Sequence, residues 1–132
     1  MGTNYYLQKK INEAGRRYDI HICKTSAGWY PHLQGYRNSF SQTHPVITSW
    51  FDWKTFLRAE VIRNEGLIFN EYDELIKYEE FVKTIEDWQN NALLGDWKNP
   101  FKSPNAFSND HSFELDHWQD PEAYWLSSRE FS

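Results

Sequence analysis

The sequence predicts one α+β domain over residues 1–132: an antiparallel sheet of four or five strands, two helices on one face of it, and a long aromatic-rich irregular segment. Three observations carry this. Ile20, Ile22 and Lys24 alternate with His21, Cys23 and Thr25, the period of a strand with one buried face. Trp50, Trp53 and Leu57, with Phe56, recur at helical spacing, and so do Phe81, Ile85 and Trp88. Beyond residue 91 the periodicity stops, and Gly95, Pro100, Pro104 and Pro121 punctuate a stretch rich in Asn, Asp and Ser.

Taken in order, residues 3–9 are aromatic and β-prone and open the sheet. A turn around Gly15 returns the chain as the strand over 19–25, giving a hairpin with a longish loop. Lys24 to Gly28 supplies small, turn-forming residues. A third strand over 29–36 then completes a meander, with Pro31 at its start or at an edge. The polar stretch 37–48 reads as a loop. Ser49 and Asp52 have the spacing of a capping box, which starts the first helix at Trp50. Asn64-Glu65-Gly66 stops it. Short apolar strands follow at 67–69 and 75–76, separated by an acidic turn. The second helix covers 78–91, with Glu79 and Lys83 as an i,i+4 pair. Residues 91–122 are expected to be irregular yet ordered, because disordered segments are poor in aromatics. Residues 124–131 return as a last strand.

A chain of this length buries roughly two-thirds of its unfolded surface. Seven Trp, eight Tyr and nine Phe exceed what such a core requires, so some rings are expected at a binding surface. The net charge of −5 is unevenly divided. Residues 1–66 carry 9 Lys/Arg and 5 Asp/Glu, a balance of +4; residues 67–132 carry 5 and 14, a balance of −9. The acidic half argues against direct nucleic-acid binding and suits a partner with a basic surface. One cysteine excludes an internal disulfide and fits a reducing compartment. No apolar run approaches 18 residues and no leader pattern is present, so the expectation is a cytoplasmic protein without a membrane span.

Five blocks carry a resemblance: Met1-Gly2-Thr3-Asn4-Tyr5-Tyr6, Ile20 to Trp29, Phe51-Asp52-Trp53-Lys54, Asn70-Glu71-Tyr72 and the terminal Arg129-Glu130-Phe131-Ser132. Together they resemble a family of small uncharacterised phage and prophage proteins. The resemblance spans most of the chain, although each block is short. Members of that family often carry a C-x-x-C-G-R turn between the first two strands, which suggests a zinc knuckle. Here Ile11 and Ala14 stand at both cysteine positions, so no metal is expected at that turn, while Gly15 and Arg16 remain. The resemblance implies a phage setting and residence in the host cytosol. It implies no reaction.

Lys24, Thr25, Ser26, Gly28 and Trp29 offer a cation, hydroxyls and turn amides to an anion or nucleotide, but without the spacing of a P-loop. His21, Cys23 and His32 offer a weak N/S/N metal set, on the expectation that residues two apart share a strand face. Cys23 with a histidine is also a conceivable nucleophile. The acid groups around Glu71, Asp73 and Glu74, and around Asp116, Asp120 and Glu122, read as solvated faces. No catalytic residue and no cofactor is expected. The preferred function is protein binding, with Trp97, Phe101, Phe107, Trp118 and Trp125 as anchors ringed by Asp116, Asp120 and Glu122. In a phage setting the partner would be a host factor, for instance a defence nuclease such as a CRISPR effector. The alternative is a small-ligand or nucleotide-binding protein, or an enzyme, using the Lys24–Gly28 turn.

Overall fold

Leu7 faces Ile20 on one side and Ile68 on the other, and all three are buried. They mark the middle of the sheet in a computed structural model that describes residues 2–10, 17–36, 46–95 and 117–128. The strands are β1 (Gly2–Lys10), β2 (Arg17–Ser26), β3 (His32–Gln34), β4 (Leu67–Asn70), β5 (Leu75–Ile76), β6 (His117–Gln119) and β7 (Trp125–Ser127). The helices are α1 (Trp50–Arg63), between β3 and β4, and α2 (Tyr78–Gly95), between β5 and β6. The strands form one sheet in the order β5-β4-β1-β2-β3-β7-β6.

The α+β class holds, but among the described residues the sheet has seven strands rather than four or five. It is also mixed, because β3 and β7 pair in parallel. The strands at 75–76 and within 124–131 are expected from the sequence; β6 is not, and at three residues it is too short to show a period. β6 falls within the 91–122 stretch expected to be irregular, and α2 runs on to Gly95.

Both helices cover one face. Trp50, Trp53 and Leu57 of α1 and Phe81 and Ile85 of α2 share a core with Leu7, Ile20, Ile22, Leu33, Ile68 and Leu126. Ser49 caps α1 as its spacing predicts, its Oγ accepting the Asp52 N–H at 3.0 Å. The reciprocal half of the box is displaced by one residue: the Asp52 carboxylate accepts the N–H of Thr48. At the far end Glu65, not Gly66, takes the left-handed conformation (φ 58°). Gly66 is closely packed, since a Cβ there would lie 3.1 Å from the Glu60 carbonyl oxygen. Lys83 pairs with Asp87 rather than Glu79.

The face away from the helices carries Asn4, Tyr6, His21, Lys24, His32, Phe69, Leu75 and Trp125, as the registers require. A bulge sets its composition. Tyr5 pairs with Cys23 and Tyr6 with His21, so Ile22 is an extra residue. Cys23 therefore turns to the helix side with Tyr5, and Lys24 turns away from it.

Candidate functional site

The bulge separates the sulfur from the imidazoles. Cys23 is fully buried, and burial pushes its thiol pKa well up, which is the wrong direction for a nucleophile or a metal ligand. His21 lies on the opposite face, where its Nε2 meets Asn4 Oδ1 at 2.9 Å. The weak N/S/N alternative is thus not assembled. Among the described residues no group of three His, Cys, Asp or Glu is placed to hold a metal ion.

His32 sits beside His21, Lys24 and His117. Burial first, and then these three neighbours, lower its pKa to about 3. Near neutral pH His32 is an uncharged imidazole.

The residues of the Lys24–Trp29 segment diverge. Lys24 and Ser26 flank Gly2. Thr25 is buried on the other face and hydrogen-bonds Tyr5. Ser26 accepts the Trp29 N–H at 3.0 Å across a tight turn, where Gly28 has a φ of 85° that other residues resist. Trp29 leads back to α2, its carbonyl accepting the Trp88 indole N–H. The five residues do not converge on one ligand.

Four of the eight expected protein-binding residues lie within the described structure; Trp97, Phe101, Phe107 and Asp116 lie outside the described residues. Trp118 packs over Gly35 and donates its indole N–H to the Thr48 carbonyl at 2.8 Å. Asp120 is buried and accepts three backbone N–H groups, from Trp50, Glu122 and Tyr124. Both hold the fold together, Trp118 where an anchor and Asp120 where a solvated rim acid were expected. Glu122 is exposed, and Trp125 is half-buried opposite His32.

The surface that sequence reasoning passed over lies at the other end of the sheet. Tyr6, Phe69 and Leu75 form a row across β1, β4 and β5 on the helix-free face, with the Tyr6 and Phe69 rings stacked at 5.8 Å. Leu67 lies one step along the same face. Leu75 is 70% exposed, and Tyr72 in the adjoining turn 62%. Glu71, Asp73 and Glu74 are exposed in or next to the turn beside this apolar group. Glu71 accepts the Asn4 N–H, and Glu74 accepts the Asn70 side-chain amide. Among the described residues no Lys, Arg or His forms an ion pair with any of the three. The signal was present as Leu67 and Phe69 flanking Ile68, with three acids and Leu75 following. It lacked only the knowledge of which side faced the helices.

A separate open groove of about 450 Å3 runs between α1 and the start of α2, lined by Arg58, Val61, Ile62, Lys77, Tyr78 and Glu79. It gathers no nucleophile with a base. No described helix is long and apolar enough to cross a membrane. Comparison with protein families, with curated proteins and with solved structures finds no significant match to this chain.

Proposed function

We propose that the chain is a non-catalytic protein-binding module that docks a partner on the β1-β4-β5 end of its helix-free face. One observation carries this reading: an apolar group of exposed Leu75 and Leu67 with half-buried Phe69 and Tyr6, rimmed by Glu71, Asp73 and Glu74, which have no cationic partner among the described residues. Exposed apolar patches with polar rims mark protein contacts. Unpaired carboxylates at the rim favour a partner whose surface is basic and speed its approach. In the phage setting that the sequence resemblance implies, the partner is a host protein in the host cytosol, and a defence nuclease such as a CRISPR effector fits the basic-surface requirement. The protein would then act as an inhibitor by occupancy.

The test uses the purified chain against purified candidate nucleases, with binding followed by calorimetry. Leu75→Ser should weaken binding by about tenfold or more, equivalent to about 1.4 kcal/mol. Replacing Glu71 and Glu74 by Gln should slow association and flatten its salt dependence. Binding that survives both changes undiminished would show that a different surface is used.

A further inference from the structure

We infer that two copies of this chain join edge to edge along β5, continuing the sheet through a two-fold axis. This concerns the backbone edge of β5; it shares Leu75 and Asp73 with the surface described above but does not rest on the partner proposed there.

The backbone geometry sets the register. Asn70 N–H donates to the Glu74 carbonyl at 3.1 Å, so Asn70 and Glu74 are a hydrogen-bonded pair. Antiparallel ladders alternate, which makes Phe69–Leu75 a pair without mutual bonds. The N–H and C=O of Leu75 therefore point away from β4, at the outer strand of the sheet. A second β5 running antiparallel can exchange both bonds with them, Leu75 against Leu75. Glu74 then meets Ile76 of the other copy, and beyond the two-residue strand the same symmetry brings Asp73, in the adjoining turn, near Lys77 of the other copy.

That last pairing identifies the occupant. Asp73 and Lys77 are both exposed, and neither forms an ion pair among the described residues. The edge has one acidic and one basic end, so it is complementary to itself when inverted. Each two-fold contact brings two unlike pairs together. A foreign strand of uniform charge would leave one end mismatched. Pairing also places the two exposed Leu75 side chains side by side. It joins the Tyr6-Phe69-Leu75 row of one copy to that of the next. The contact is small, two backbone bonds with two ion pairs, which puts it among weak, concentration-dependent associations.

Sedimentation equilibrium of the full chain, carried up to millimolar concentration at low salt, should show monomer passing to dimer, with no larger species. Lys77→Asp sets Asp against Asp73 twice, and Asp73→Lys sets Lys against Lys77 twice. Each should weaken the dimer by about tenfold or more. The double exchange, Asp73→Lys with Lys77→Asp, restores unlike pairs and should recover most of the loss, while circular dichroism verifies that all variants fold. A wild-type chain that stays monomeric overturns the proposal. So does a dimer indifferent to the single changes, or a double exchange that dimerises no better than they do. None of these outcomes affects partner binding by the single-copy patch, which is measured at concentrations where the chain is monomeric.

Discussion

Two hairpin turns in this molecule have the same hydrogen-bond design and opposite surroundings. In the β4–β5 turn, Asn70 N–H donates to the Glu74 carbonyl, and Asp73 N–H donates to the Asn70 carbonyl. The Asn70 side-chain oxygen accepts the N–H groups of Tyr72 and Glu74. In the β6–β7 turn, Asp120, Glu122, Ala123 and Tyr124 repeat every one of these bonds. The fourth residue is left-handed in both, Asp73 at φ 61° and Ala123 at φ 72°. The difference begins at the first residue. A carboxylate has a second acceptor oxygen where an amide has a donor, and Asp120 uses it to take the Trp50 N–H at 2.8 Å. That bond satisfies an orphan donor at the start of α1 and ties the turn to the core. Tyr124 follows it inward to stack on Trp50. Asn70 makes no such bond to a helix; its turn is held to Asn4 of β1 by Glu71 instead, and its Tyr72 and Leu75 remain outside. One turn design thus serves as a rivet at one end of the sheet and as a presented surface at the other.

The largest test of this contrast is truncation of the two first residues. Asp120→Ala removes three charge-assisted bonds and strands a buried N–H at a helix start, and should cost about 3–4 kcal/mol. Asn70→Ala breaks bonds that water can replace and should cost about 1 kcal/mol. Urea denaturation of both variants measures the difference through the midpoint. Equal losses would mean that the rivet contributes nothing beyond the turn itself.

A second effect belongs to the riveted end alone. His32 faces Trp125 across the β3–β7 pairing and is held neutral, with its pKa lowered from 6.5 to about 3. As pH falls, the unfolded chain therefore takes up this proton before the folded one does. The His32 contribution is fully present above about pH 6.5 and is lost progressively down to about pH 3. Its slope cannot exceed about 1.4 kcal/mol per pH unit for one proton. Stability measured against pH for wild type and His32→Gln should differ in slope within that window and run parallel above it. Parallel curves throughout would place the imidazole in water.

The local parts of this fold were legible and the pairings were not. Ser49, the stripe Trp50-Trp53-Leu57 and the first hairpin follow from cap chemistry and from periods of 3.6 and 2. The bulge at Ile22 was hidden, because which residue is extra depends on the partner strand. With it went the assignment of Cys23 and Lys24 to their faces. The parallel pairing of β3 with β7 joins residues more than 90 positions apart and leaves no local trace. Asp120 read as one of a group of surface acids, and only its neighbour in space, the first turn of α1, makes it structural. At the candidate site the residues themselves were visible, from Leu67 to Leu75. An apolar run such as Leu67-Ile68-Phe69 reads the same whichever face the helices cover.

The smallest effect sharpens the comparison at its fourth residue. A left-handed conformation costs Ala more than Asp, whose short polar side chain tolerates it, and costs Gly nothing. Ala123→Gly should therefore stabilise the protein by about 0.5–1 kcal/mol, a rise of about 3 °C in Tm for a chain of this size. Asp73→Gly should change little, because its smaller relief is offset by the added freedom of glycine in the unfolded chain. The two variants share one turn geometry, so scanning calorimetry of both separates residue preference from surroundings. A gain at Ala123 alone means the strain there is intrinsic to the residue and is carried by the Asp120 anchorage. A gain at neither means the buried turn has already relaxed around its alanine, and the two hairpins would then differ at their first residue only.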